Sequence, residues 1–209
     1  SYIGYWFAVS TFYPVTQIWG QHYDFEGFNV LTPDDDWLLD IHYVMDGGPG
    51  KDGIPALENP EMIQYKYKDN LSQISYLDRG DLVVGVKMDS IAIAFPHPIF
   101  NWHEIVNHKV NDHYFAVSFC PLTGTSVCWN RDINGEITTF GVSGLLYNNN
   151  LIPYDRATDS FWSQMKNESV YGKLIGTRAE LYPVVETTWA TWLKMFPETW
   201  LLTANTGHD

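Results

Sequence analysis

The sequence predicts an α+β fold, a β-rich single domain with antiparallel hairpins and a few short helices. Runs of β-branched and aromatic residues recur along the chain, and clusters of Gly, Pro, Asn and Asp separate them, which is typical of strands joined by turns. Helical periodicity is clear in only one segment. The length of 209 residues suits one domain.

The glycine-rich stretch 47–53 divides the chain, because such a composition indicates a turn-rich loop. It separates an aromatic N-terminal segment, residues 1–46, from a main β-rich domain, residues 47–209. Residues 1–23 contain no Lys, Arg, Asp or Glu. We expect them to form part of the core, and the alternative is docking on a protein partner or a membrane surface. The chain starts at Ser1 rather than Met, so we expect it to be processed or trimmed.

Strands are predicted in pairs. Leu82–Met88 and 91–95 flank the turn Asp89-Ser90, and 114–120 and 126–131 flank a turn at 121–124. This second turn places Val117 opposite Cys128, which argues against a disulfide between Cys120 and Cys128. Further strands are predicted at 136–142, 145–148 and, in pieces, 174–183.

Helices are fewer. Residues 187–196 place Trp189, Trp192 and Phe196 on one face and end before Pro197, which indicates an amphipathic helix. Residues 59–62 and 159–165 are weaker candidates.

Charge limits the partners. The formal net charge is −13, which repels polyanions and makes nucleic acid a poor partner, whereas cations, including metal ions, are attracted. The two cysteines are too few for a disulfide-dense scaffold.

Two segments carry the residues best suited to chemistry, His103-Glu104 and the cysteine that opens 120–124. Thiolate and imidazole suit copper or zinc, so one hypothesis is a metal site of Cys120, His103 and Glu104. A second hypothesis is an enzyme with Cys120 as nucleophile, His103 as base and Glu104 or Asp155 orienting it. The spacing of His103 and His108 misses the helical zinc motif H-E-x-x-H by one residue.

Each of these residues also has a structural interpretation. A histidine beside Trp102 is often a half-buried, hydrogen-bonded side chain, and a single cysteine is most often a small buried apolar residue. Ser143 suits a turn or loop hydroxyl. Asp155 and Arg156 suit an ion pair that closes a loop.

Several ordered blocks resemble one family, domain of unknown function 3179, whose members are mainly extracytoplasmic microbial proteins. The resemblance spans roughly residues 47–207. It implies a location outside the cytoplasm (secreted, periplasmic or surface-anchored) and marks further pocket candidates. This chain departs from the family at two positions: Thr123 stands where many relatives carry a second Cys, and His108 stands where Asp is usual. The family pattern also continues past Gly207, so we expect a clipped C-terminus. The blocks are 52–57, 81–86, 94–96, 101–107, 120–124, 139–148, 154–156 and 161–164, and the marked residues are Trp102, His103, Glu104, Cys120, Ser143, Tyr147, Asp155, Arg156 and Trp162.

From these observations we expect an extracytoplasmic protein with a pocket centred on Cys120 and His103 that binds copper or zinc. The alternatives are a cysteine-nucleophile enzyme and a non-catalytic accessory or scaffold protein that docks through residues 1–23. A metal ion or a small molecule is the expected partner.

Overall fold

The computed structural model describes residues 36–66 and 74–208, and the expectation for residues 1–23 lies outside this part. Within it the β-rich fold with antiparallel hairpins and two short α-helices is confirmed. Fifteen strands form three five-stranded sheets, and two more form a small hairpin.

Each five-stranded sheet has its own spatial order of hydrogen-bonded strands. The front sheet contains β1 (Val44–Asp46), β11 (Phe140–Tyr147), β12 (Asn150–Asp155), β13 (Phe161–Ser163) and β14 (Glu168–Tyr171). The central sheet contains β15 (Leu181–Tyr182), β8 (Thr125–Asn130), β7 (His113–Cys120), β6 (Ile105–Val110) and β2 (Leu57–Glu58). The back sheet contains β16 (Val184–Thr188), β4 (Leu82–Met88), β5 (Ile91–Pro96), β17 (Trp200–Leu202) and β3 (Met62–Gln64).

The remaining elements connect or flank the sheets. They are a 3-10 turn (Ile41–Tyr43), α1 (His97–His103), the hairpin β9 (Asp132–Ile133) and β10 (Glu136–Ile137), and α2 (Trp189–Met195). The paired strands run antiparallel except for β2 with β6 and β5 with β17. α1 joins the back sheet to the central sheet, since it follows β5 and precedes β6.

The central sheet is covered on both faces. Along β7 one set of alternate side chains, such as Phe115 and Val117, packs with the back sheet. The other set, Ala116 and Cys120, packs with the front sheet. Successive side chains of a strand point to opposite faces, and here both faces are buried. The result is a three-layered β structure with a core on each side of its middle sheet.

Buried polar side chains connect the central and front sheets, and the most buried of them is an asparagine. Asn107 on β6 is fully buried, its Nδ2 donates to the carbonyl of Phe140 at 2.8 Å, and its Oδ1 accepts from the N–H of Phe140 at 2.8 Å. The amide therefore satisfies both backbone groups of Phe140, which would otherwise be buried without partners.

The hairpin predictions are confirmed. β4 pairs with β5, and β7 pairs with β8 in a register that places Val117 opposite Cys128. Cys120 and Cys128 are both free thiols, as this register predicts. The amphipathic helix is also confirmed as α2, which is shorter than expected because the hydroxyl of Thr188 caps it.

Other predictions are wrong. Residues 59–62 are not helical, and residues 159–165 contain β13 instead of a helix. Of 174–183 only Leu181–Tyr182 is a strand. The two strands expected at 136–142 and 145–148 are mostly one strand, β11, because a bulge lets it continue past Ser143. α1 was not predicted, although Pro98 in its first turn is a helix-start signal.

Replacing Asn107 with Ala should strongly destabilise the protein, because it leaves both backbone groups of Phe140 buried and unpaired. The expected loss in the free energy of unfolding is on the order of 2–4 kcal/mol, measured by urea denaturation. Asn101→Ala, at an exposed position of α1, is the matched control and should change stability little. An Asn107→Ala variant as stable as the control would contradict this role.

Candidate functional site

The structure contains a cavity of about 800 Å³. Most of its lining comes from the loop 47–55, α1 with Glu104, strand β11 and residues 204–208, and Tyr76, Leu122 and Leu151 complete it. This volume lies within the range of small-molecule sites.

The loop is fixed against β11 by backbone hydrogen bonds. The N–H of Gly47 donates to the carbonyl of Gly144 at 2.7 Å, and that of Asp52 donates to Val142 at 2.8 Å. Gly144 has a φ of +81°, and a Cβ there would lie 2.8 Å from the backbone of Gly50. Only glycine fits this close approach, so the loop and β11 together form one wall of the cavity.

His103 is the last residue of α1 and lines the cavity. Its Nδ1 lies 2.8 Å from the carbonyl oxygen of Pro55. A carbonyl can only accept, so Nδ1 carries the hydrogen and Nε2 is the acceptor of the neutral ring. Burial lowers the pKa of His103 and favours this neutral form. The ring of His208 lies 5.4 Å from it, centroid to centroid.

Glu104 ends α1 in an unusual backbone conformation, with φ +56° and ψ −32°. This region is uncommon for a residue with a Cβ, and two backbone hydrogen bonds hold it there: the N–H donates to Phe100 at 2.8 Å, and the carbonyl accepts from Phe119 at 2.7 Å. The turn allows the chain to pass directly from the helix into β6.

The side chain of Glu104 is mostly buried, and no described residue forms a hydrogen bond with its carboxyl. The residue is 8% exposed and lines the cavity. Within 36–66 and 74–208 its carboxyl oxygens have no hydrogen-bond partner, and neither oxygen is sealed from solvent. Burial raises the pKa of Glu104 to about 7, because desolvation disfavours the charged form. The group can therefore be protonated or ionised near neutral pH.

The rest of the cavity is largely apolar. Ile54, Ile99, Leu146 and Leu151 are among its lining residues. Two lining side chains are large, apolar and solvent-exposed: Trp102 at 61% and Leu122 at 49%. The arrangement gives an apolar enclosure with a polar end at His103 and Glu104.

Cys120 is not one of the cavity's lining residues. It is 1% exposed and packs in the core between the central and front sheets, together with Leu146 and Leu151. Its Sγ lies 3.5 Å from the carbonyl oxygen of Asn149 and donates to it. Cys120 thus lies behind the cavity wall.

Ser143, Asp155 and Trp162 have structural hydrogen bonds. Ser143 lies in the bulge of β11, where its hydroxyl donates to the carbonyl of Ile152 and accepts from the N–H of Leu145. Asp155 is fully buried, accepts from the N–H of Thr158 at 2.8 Å and accepts from the indole of Trp162 at 3.1 Å. Neither Asp155 nor Trp162 lines the large cavity.

The last two candidates lie at the ends of strands of the front sheet: Tyr147 is the last residue of β11, and Arg156 follows β12. Arg156 forms an ion pair with Asp52 at 2.9 Å and another with Glu58. Tyr147 packs edge-on against Tyr43 at 6.3 Å. Of the nine residues marked by the sequence, the cavity therefore brings together three, Trp102, His103 and Glu104.

A metal site does not assemble from the predicted ligands. Among the described residues no group of three or more His, Cys, Asp or Glu side chains is placed to hold a metal ion. The Sγ of Cys120 donates to the carbonyl oxygen of Asn149, and Cys120 does not line the cavity that contains His103 and Glu104. The described structure therefore does not bring Cys120, His103 and Glu104 together as a group of three ligands.

Several lining residues were missed from the sequence. His208, Tyr76 and Leu122 lie far apart in the chain and have no motif in common. Only the packing of the C-terminal residues over α1 brings His208 beside His103. The one local signal was Leu122, an apolar residue in the predicted turn 121–124, where polar residues are more usual.

The fold and the cavity define a class: a single-domain, three-layered β protein with a large, mostly apolar cavity. The model of one family, described as a protein of unknown function (DUF3179), matches residues 51–209, and the chain belongs to this family. The resemblance stated from the sequence is thereby confirmed. No curated protein and no solved structure matches the chain. No helix in residues 36–66 and 74–208 combines the length and the hydropathy needed to span a membrane.

The burial of Cys120 leads to a prediction about its reactivity. In the native protein iodoacetamide should modify Cys120 at least roughly tenfold more slowly than in urea, since the thiol becomes accessible only when the structure opens. Peptide mapping by mass spectrometry assigns the modified residue, and the fully buried Cys128 is the internal control. Rapid, pH-dependent modification of Cys120 alone would instead support the cysteine-nucleophile hypothesis.

The raised pKa of Glu104 predicts how stability depends on pH. The folded state holds the proton up to about pH 7, whereas an unfolded glutamate loses it near its ordinary pKa of 4.5. Stability from this group is therefore fully present below the unfolded pKa and is lost as the pH rises towards 7.

Glu104→Gln should remove this loss. Relative to the wild type, its free energy of unfolding should rise between pH 4 and pH 8 by on the order of 3 kcal/mol, measured by urea denaturation at each pH. Glu198→Gln, at an exposed position, is the control. A pH-independent difference between Glu104→Gln and the wild type would show that the carboxyl is not destabilised by burial.

Proposed function

We propose that this protein binds a small molecule in the cavity, with the apolar body of the ligand between the loop, α1 and β11 and its polar end against His103 and Glu104. The observation that carries this proposal is Glu104, a residue that is 8% exposed, lines a cavity of about 800 Å³ and has a carboxyl without a hydrogen-bond partner among the described residues. A buried polar group without a partner is costly, and such groups are characteristic of sites that a ligand completes.

The strained backbone of Glu104 supports the same proposal. A glutamate at φ +56° is held there only by its surroundings, and such residues concentrate at functional sites. Since the N–H and C=O of Glu104 are both hydrogen-bonded, the backbone that carries this side chain is held in a fixed place. A polar group beside apolar walls orients a bound molecule.

A neutral fluorescent probe, N-phenyl-1-naphthylamine, tests the proposal. We expect it to bind one site per chain with an increase in fluorescence, because the walls are apolar. Trp102→Ala should weaken binding about fivefold to tenfold, since the aromatic contact of Trp102 with the probe is lost. Trp200→Ala is the matched control, because Trp200 is also exposed at the surface and does not line the cavity.

Two results would argue against a ligand site. One is the absence of saturable binding by the wild type. The other is equal binding by both tryptophan variants, which would place the probe elsewhere. Circular dichroism of each variant shows whether it is folded, so a loss of binding is not confused with unfolding.

Binding of copper or zinc stays a prediction, as does a location outside the cytoplasm. The net charge of −13 favours capture of cations in general. Elemental analysis of the purified protein used for the probe experiments tests the metal, and stoichiometric copper or zinc would revise the proposal in favour of a metal centre. Fractionation of the source cells tests the location.

A further inference from the structure

The charges around the cavity restrict what its ligand can be. Among the lining residues that the structure describes there is no lysine or arginine. The titratable lining residues are Tyr76, His103, Glu104 and His208. A carboxylate or phosphate ligand would therefore meet no permanent positive charge and would enter against the net charge of −13.

His103 and Glu104 offer unpaired hydrogen-bond acceptors to the cavity. Nδ1 of His103 is already used on Pro55, so the neutral ring offers only the acceptor Nε2, for which the described residues supply no partner. The oxygens of Glu104 likewise have no partner among the described residues, and the ionised carboxylate is an acceptor only. Tyr76 is not a free donor, because its hydroxyl donates to the carbonyl of Leu202. The lining residues that carry donors are Asn101, Thr206 and His208. A ligand that pairs with His103 and Glu104 must donate hydrogen bonds to them.

From this arrangement we propose that the ligand is an organic cation, an apolar molecule with a protonated amine that donates to Glu104 and to Nε2 of His103. This inference rests on the proposed function and names the class of its ligand. An ammonium group provides three donors and one positive charge, and it restores the interactions that the buried carboxylate lacks. The exposed ring of Trp102 adds an aromatic surface of the kind that attracts cations.

The apolar walls favour an organic cation over a bare metal ion. Ile54, Ile99, Leu146 and Leu151 supply no ligand atoms, and about 800 Å³ is far larger than an ion needs. Burial of an apolar body against these walls contributes affinity in proportion to the area removed from water. The carboxylate then determines which head group is accepted.

Three molecules with the same aromatic body test the proposal on the full chain: 1-naphthylmethylamine, 1-naphthalenemethanol and 1-naphthoate. Their affinities are measured by calorimetry at pH 8, where Glu104 is mostly ionised and the amine is protonated. We expect the amine to bind about tenfold more tightly than the alcohol, because a hydrogen bond to a charged group is stronger than a neutral one. The naphthoate should bind more weakly than the alcohol.

Glu104→Gln separates the head group from the body. In this variant the amine should lose its advantage of about tenfold, so that the amine and the alcohol bind with affinities within about twofold of each other. Glu198→Gln should leave both affinities unchanged. In the wild type the preference for the amine should also increase from pH 6 to pH 8 as Glu104 ionises, whereas the affinity of the alcohol should stay constant over that interval.

The outcomes distinguish the two proposals. If none of the three molecules binds and the neutral probe also fails, the cavity is not a ligand site, and the proposed function is wrong. If the alcohol binds as tightly as the amine, or if the naphthoate binds best, the cavity takes ligands but the inference of a cationic ligand is overturned. Retention of the amine preference in Glu104→Gln would overturn it as well, because the preference would then arise elsewhere.

Discussion

The structure depends on a central sheet that is buried on both faces. Such a sheet needs apolar or small side chains at every position of its middle strands, and β7 meets this requirement from Phe115 to Cys120. It also needs the polar backbone between the layers to be satisfied. Asn107 does this where the central and front sheets meet, since its amide pairs with both backbone groups of Phe140. At a second place Gln164 beside the front sheet donates to the carbonyls of Ser118 and Thr125 in the central sheet. The two apolar cores and these polar connections hold the layers together.

The candidate site follows from the same arrangement. Glu104 lies directly before β6, and its carbonyl accepts from Phe119 on β7, so the residue extends the pairing of β6 with β7 in the central sheet. Three residues later Asn107 ties β6 to the front sheet, whose strand β11 forms the opposite wall of the cavity. The imidazole of His103 is held by its hydrogen bond to the carbonyl of Pro55, at the end of the loop 47–55. This loop can lie close to β11 because residue 144 is a glycine. The polar end of the cavity is thus held by residues of α1, β6 and the loop, and its geometry changes little without disturbing the cores.

The sequence predicted the parts of this structure that depend on local patterns. The β-rich runs 82–88 and 91–95 and the turn signals between the strands gave the hairpins, and the apolar face of 187–196 before Pro197 gave the helix. His103 and Glu104 were also identified, because an imidazole and a carboxylate suit ligand binding and acid–base chemistry. The sequence placed Cys120 in one pocket with His103, but Cys120 does not line the cavity. Its side chain points into the core between the central and front sheets. The sequence does not show that both faces of β7 are covered, so this burial could not be predicted. His208 could not be found at all, because only tertiary packing places it beside His103.

The same carboxyl is a weakness of the folded protein and the strongest indication of its function. With its pKa at about 7, Glu104 reduces stability at higher pH, and an alanine or glutamine there would avoid this loss. The side chain contributes no hydrogen bond to the described structure in return, and the backbone around it adopts an unfavourable conformation to present it. Natural sequences conflict with local stability mainly at functional sites. A donor that binds the ionised carboxylate lowers its pKa and stabilises the fold by mass action, so one interaction would account for the position, the protonation and the cost of Glu104.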